Sequence, residues 1–144
     1  MSDVLSREAI VLGGQATDRD AAITEAGRLL VESGAVDEAY VDAMHERETS
    51  VSTFMGNGLA IPHGTNEAKA LIRHTAISFV RYDEPIDWKG SPATYVVGIA
   101  GAGDDHLALL SLIAGIFTDA EQVAALRAAT TREEVTSILD AVKV

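Results

Sequence analysis

The chain has 144 residues, no cysteine, and 22 Asp plus Glu against 11 Lys plus Arg, a formal charge of −11. That length suits one domain, residues 1–144, able to bury roughly 68–70% of its unfolded surface unaided, and the missing cysteines exclude disulfide frameworks, thiolate nucleophiles and Cys-ligated zinc. So acidic a protein repels nucleic acid, whose binding depends on cations that neutralise phosphates, and it suits partners with basic faces.

The N-terminal stretch, MSDVLSREAIVLGG, lacks the basic-then-apolar order of a leader, and no apolar run approaches the roughly 20 residues of a membrane span. A cytoplasmic protein is expected. Ile10-Val11-Leu12 with Gly13-Gly14 predicts a short strand and a turn. Thr17 and Asp20 have the spacing of a capping box for a helix to about Ser33, with Ala22, Ala26, Leu29 and Leu30 as its inner stripe and Gly34 just past its end. A second helix is predicted over about 37–48, with Val36 and Tyr40 facing inward together. Gly56-Asn57-Gly58 signals a turn into a strand over 59–61. Residues 66–73 fit a helical turn or a loop.

A strand over 75–82 alternates Ala76, Ser78 and Val80 against Ile77, Phe79 and Arg81. Pro85 and Pro92 are expected to bracket an irregular connection containing Trp88. Residues 95–100 are apolar on both faces, the pattern of a central strand covered on two sides. Gly101-Ala102-Gly103 then turns into a helix over about 105–117, apolar nearly all round and so expected to be largely buried. Two more helices open at Asp119 with Gln122 and at Thr131 with Glu134, both spaced as capping boxes. The order β-α-α-β-β-β-α-α-α implies an α/β fold, a three-layer α/β/α arrangement with a mixed sheet of four to five strands.

Four histidines are the candidates for chemistry. His45, on a charged helix, and His74, ahead of a strand, read as surface residues. His63 ends the stiff run Leu59-Ala60-Ile61-Pro62, because Pro62 fixes its own φ and holds Ile61 extended. Gly64 beside it leaves room for a bulky group or another backbone to approach, and Thr65 supplies a hydroxyl. The same residues would also suit an ordinary strand-to-loop turn with Pro and Gly as punctuation.

His106 opens the helix after Gly103. His63 and His106 each follow a strand, so both lie on one sheet edge when those strands are parallel, the edge where open α/β sheets place their sites. The helix N-terminus disfavours an imidazolium there while Asp104 and Asp105 favour it, so its protonation stays open. A histidine bonded to backbone in a capping region fits the position as well. Arg47 is the one cation that is a candidate for holding an anion, although taken alone a charge favouring its helix's C-terminal dipole explains it better. Gly101-x-Gly103 lacks the third glycine of a dinucleotide motif, and no P-loop is present, so no cofactor is expected. Nor do His63, His106, Asp104 and Asp105 have a metal-ligand spacing such as H-E-x-x-H; no metal is expected.

GNGLAIPHGTNEAK, HTAISFV and VVGIAG…DDHLALLSLIAGIF together resemble the type 2 enzyme IIA domain, the mannitol/fructose class, of the bacterial sugar phosphotransferase system. The I-P-H-G element paired with a downstream H-L-x-x-L carries the likeness, which is nearest to stand-alone mannitol-type members. It implies a phosphoryl carrier that takes phosphate from the phosphocarrier protein HPr on His63 and hands it to the IIB domain of a membrane sugar permease. It further implies Nε2 as the acceptor atom, with Nδ1–H held by a nearby acceptor, His106 as a supporting imidazole, and Arg47 beside the phosphoryl group. Gly64 and Thr65 are expected around the transferred oxygens, with Gly64 clearing the donor's approach. Phe54 and Met55 are candidates for a transient interface. The alternative within the same fold is a nitrogen-type regulatory protein signalling through the phosphorylation state of His63.

Overall fold

The computed structural model describes residues 4–140 and Val142. Residues 1–3, part of the N-terminal stretch read above as free of a leader, lie outside it. Three short strands and two long ones form the sheet: β1 (Ile10–Val11), β2 (Phe54–Gly56), β3 (Leu59–Ala60), β4 (Ala76–Trp88) and β5 (Ser91–Ala100), in the spatial order β1-β4-β5-β3-β2. β1 runs parallel to β4 and β3 parallel to β5, while β4–β5 and β2–β3 are antiparallel. The sheet is therefore mixed, with five strands, as expected.

The period-2 alternation of β4 explains the layers. Ala76 and Val80 face a core closed by α1 (Arg19–Glu32) and α2 (Ala39–Glu48) through Ala22, Ala26, Leu30, Tyr40 and Met44. Ile77 and Phe79 face a second core closed by α3 (Asp105–Phe117), α4 (Ala120–Ala128) and α5 (Arg132–Leu139) through Leu109, Ile113, Leu126, Val135 and Leu139. Two buried clusters on opposite faces of one sheet make the α/β/α sandwich. Each fully buried Leu, Ile or Phe in them contributes about 1.5–3 kcal/mol. Arg81, on the second face, donates from Nη1 to the carbonyls of Leu126, Arg127 and Ala129 at 2.8, 3.1 and 2.7 Å, satisfying the C-terminus of α4.

Four sequence expectations change. The stretch around Pro85 and Pro92 is not irregular: β4 and β5 continue into a long hairpin, pairing Ile86 with Ala93 and Trp88 with Ser91. Its two-residue turn has positive φ at Lys89 (55°) and Gly90 (93°), the form that matches strand twist. Pro85 is tolerated because the register shifts between Arg81 and Ile86. Secondly, the Asn57-Gly58 turn closes a hairpin with the unforeseen β2, where Gly56 pairs with Leu59.

Thirdly, α1 is capped by Asp18, whose carboxylate accepts from the Ala21 N–H at 2.8 Å, and not by Thr17. Of the other two expected boxes, Thr131 and Glu134 form the full reciprocal pair, whereas Gln122 reaches only the carboxylate of Asp119. Finally, α3 is half exposed. Only Leu109, Ile113, Ile116 and Phe117 are buried, and Leu107 is 73% exposed. No single helix among the described residues is long and apolar enough to cross a membrane.

Candidate active site

His63 is placed by the end of a parallel ladder. β3 pairs Leu59 with Tyr95 and Ala60 with Val96, and the register resumes at an isolated bridge between His63 and Ile99. The Ile99 N–H donates to the Pro62 carbonyl at 3.0 Å. Between these points the Ile61 N–H turns to the Thr53 carbonyl (3.0 Å), and the Ile61 carbonyl lies 2.8 Å from His63 Nδ1. A carbonyl only accepts, so Nδ1 carries the proton of the neutral ring and Nε2 keeps the lone pair.

Because β3 and β5 are parallel, their carboxyl ends share an edge, and His106 arrives there on the first turn of α3. Gly101 makes that approach possible: a Cβ on it would stand 2.5 Å from His106 Cα and 2.7 Å from its N. The two imidazoles meet with ring centroids 4.8 Å apart and planes tilted by 57°. They line a cavity of about 320 Å³, with Arg47 from the last turn of α2, Lys69 from the 3₁₀ helix Asn66–Leu71, and Gly64 and Thr65. His63, 8% exposed, is set into the wall of this cavity and is not sealed in the core.

Both imidazoles are held neutral. Burial is the main cause for His63, with Arg47 adding to it; the Ile61 carbonyl and the Glu48 carboxylate act in the opposite direction without cancelling it. His106 is lowered to about 4, by burial first, then by His63, Lys69 and Arg47. Asp105 is engaged elsewhere, accepting from the Thr75 hydroxyl at 2.6 Å. Arg47 and Lys69 donate to the Val51 (2.7 Å) and Gly103 (3.3 Å) carbonyls, and neither forms an ion pair among the described residues. The site thus joins a lone-pair nitrogen, a second neutral imidazole and two cations, a setting for a dianionic group attached to nitrogen.

The model of the phosphoenolpyruvate-dependent sugar phosphotransferase system EIIA 2 family matches residues 3–142. The chain belongs to this enzyme IIA family. Its members are relay components of a phosphotransferase system. Mannitol-specific enzyme IIA components of Staphylococcus aureus and Halalkalibacterium halodurans are 45% and 46% identical, over 97% and 94% of both chains. Among solved structures, mannitol IIA of Escherichia coli superposes with a TM-score of 0.86 at 34% identity, covering 94% of this chain and 98% of that one. The E. coli complex of mannitol IIA with phosphorylated IIB gives 0.87 at 33%, covering 94% of this chain and 96% of that one.

The enzyme IIA fold brings together His63, His106, Arg47, Gly64 and Thr65, all five of the residues expected from sequence. Gly64 lines the cavity, and the room it leaves on its Cβ side is taken within this chain: a Cβ there would lie 2.6 Å from the Tyr40 ring. The glycine admits Tyr40, whose hydroxyl accepts from the Gly64 N–H (2.9 Å) and donates to the Ile99 carbonyl (2.9 Å).

Sequence reasoning misses three residues at or behind the site: Lys69, within GTNEAK, Tyr40, expected only to face inward, and Glu48, where the second predicted helix ends. Glu48 is 1% exposed and accepts from the Thr53 N–H (2.9 Å), the Thr53 hydroxyl (2.6 Å) and the Trp88 indole N–H (2.9 Å). His45 Nε2 lies 2.8 Å from the Thr24 hydroxyl and His74 is exposed; neither lines the cavity. Phe54 packs against the first core and Met55 is 45% exposed. Among the described residues no group of three or more His, Cys, Asp or Glu is arranged to hold a metal ion.

Proposed function

We propose that this chain is a phosphoryl carrier that accepts phosphate from phospho-HPr on His63 Nε2 and passes it to the IIB domain of a mannitol-type permease. The observation that carries the reading is the Ile61 carbonyl on His63 Nδ1, which leaves the opposite nitrogen free in a cavity shared with His106 and Arg47. In the forward step Nε2 bonds to phosphorus as the donor's P–N bond breaks, and Nδ1 keeps its proton. The transition state is loose and charge-rich, so positioning and electrostatics carry most of the rate.

Neutral His106 donates one ring N–H to a phosphoryl oxygen, Arg47 balances the negative charge, and the Thr65 hydroxyl is available to a third oxygen. The buried Glu48 carboxylate favours the positive charge that the phosphorylated ring acquires. The excess of acidic residues favours encounter with basic faces on both protein partners. Such a relay works in the cytoplasm, beside the permease.

The 44–46% identity to mannitol-specific components supports sugar uptake over the regulatory output. A nitrogen regulatory IIA of Neisseria meningitidis also shares the fold, with a TM-score of 0.83 at 29% identity over 95% of this chain and 97% of that one. Incubation with enzyme I, HPr and phosphoenolpyruvate tests the reading. One acid-labile phosphate is expected on wild type and none on His63→Gln, followed by transfer to a mannitol IIB domain. An unchanged intact mass, or labelling that survives His63→Gln, overturns it.

A further inference from the structure

We propose that this site also takes a phosphoryl group directly from a small phosphoramidate, a free P–N phosphoryl donor, with no protein to deliver it. The inference rests on the carrier reading above and extends its substrate class. His106 on α3, Arg47 on α2 and Lys69 on the 3₁₀ helix line one cavity with His63. The cavity of about 320 Å³ has room for roughly ten waters at about 30 Å³ each, enough for a donor of five heavy atoms beside the two rings.

Charge favours the same substrate. The protein as a whole repels anions, with a formal charge of −11. Locally, however, Arg47 and Lys69 donate to carbonyls and form no ion pair among the described residues, and with Glu67 as the one carboxylate in the lining the cavity keeps a net positive charge. A small monoanion is drawn to that pair, and the attraction acts through a partly dehydrated site where it is weakly screened.

The step needs no acid from the protein. Near neutral pH phosphoramidate is a zwitterion whose nitrogen already bears three hydrogens. The Nε2 lone pair of His63 forms the new N–P bond, and the donor's P–N bond breaks with its electron pair going to nitrogen, which leaves as ammonia. Nδ1 keeps its proton on the Ile61 carbonyl, so the product is a phosphoimidazolium carrying a dianionic phosphoryl group. The net charge of −1 on the reactants is conserved. A P–N bond replaces a P–N bond, and His106 and Lys69 have only to hold oxygens.

The experiment is incubation of the full chain with phosphoramidate alone, followed by intact mass and site mapping. The expected result is one added PO3H unit, acid-labile, on His63 and not on the exposed His74. Lys69→Gln should slow labelling about tenfold or more, and Lys69→Arg should restore it. His63→Gln should abolish it. Equal labelling of His63 and His74 would mean ordinary imidazole reactivity and overturns the proposal. So does an unmodified wild type that phospho-HPr nonetheless labels, an outcome that leaves the carrier reading intact. Absence of labelling by either donor defeats both.

Discussion

The ring of Tyr40 fills the space that a side chain at Gly64 would occupy. A Cβ there would come within 2.6 Å of the ring, while the phenol hydroxyl joins the Gly64 N–H to the Ile99 carbonyl at 2.9 Å on each side. The backbone just after His63 is therefore braced against β5 by a side chain from α2. Gly64→Ala should push Tyr40 or the loop aside, costing about 1–3 kcal/mol and displacing His63. Urea unfolding together with the rate of phosphorylation by phospho-HPr measures both effects; unchanged values for both would show that the loop gives way freely.

Tyr40→Phe separates the two roles of that residue. The ring still fills the space, but the Gly64 N–H and the Ile99 carbonyl lose their shared partner, a loss of about 1–3 kcal/mol. The variant should remain folded and transfer more slowly. Burial raises the phenol's pKa, so the hydroxyl stays protonated and able to donate throughout the neutral range. A transfer rate equal to wild type would confine Tyr40 to packing.

Glu48 offers a spectroscopic test. Both of its oxygens accept bonds, and one donor is the indole of Trp88, the sole tryptophan. Glu48→Gln keeps all three contacts only with its amide oxygen toward the Thr53 N–H and the indole and with the Thr53 hydroxyl turned to accept from the NH2 group, and it removes the charge from each of them. The expected cost is about 1 kcal/mol, the difference between charged and neutral acceptors, with an altered Trp88 emission. The carboxylate also raises the His63 pKa, so in the folded variant that pKa should fall further. An unmoved His63 titration, followed by NMR, would sever the link between the two.

Much of this site could be read in the chain because its parts are local. Pro62 and Gly64 flank His63 within three residues, and His106 follows β5 by six, so stiff backbone and helix start were visible without coordinates. What escaped is what depends on separation. Whether β3 and β5 run parallel determines whether the histidines meet, and no residue states it. Tyr40 and Gly64 are 24 positions apart and Trp88 and Glu48 are 40 apart, so their contacts arise only when α2 packs on the sheet. Prolines at 85 and 92 suggested a break because they cannot donate to a ladder. A register shift and a two-residue turn at Lys89-Gly90 absorbed them. The apolar character of α3 suggested burial all round, yet its opening turn stands at the rim of the cavity.

The pH dependence of stability follows from the two imidazoles. The folded pKa of His106 is lowered to about 4 and that of His63 is lowered too, so between about pH 4 and 6.5 the unfolded chain binds more protons. Stability then rises with pH through that window and is lost as pH falls through it. Urea midpoints at about pH 5 and pH 7 should differ more for wild type than for His106→Gln, because the variant lacks one of the two groups. Identical differences would mean that His106 titrates alike in both states.

Leu107 is 73% exposed on α3, immediately after His106. An apolar side chain so exposed, on the helix that carries His106, contributes little to folding, since it is not covered within this chain. It is well placed to be covered by a protein that brings the phosphoryl group. Leu107→Gln should leave stability within about 0.5 kcal/mol, as measured by urea unfolding. It should raise the KM for phospho-HPr about tenfold, the loss expected when one Leu is no longer buried at an interface, with kcat nearly unchanged. A small phosphoryl donor makes no such contact, so labelling by phosphoramidate should be the same in variant and wild type. Equal KM values for phospho-HPr would place the docking surface elsewhere, with the exposed Met55 the next side chain to test by the same pair of donors.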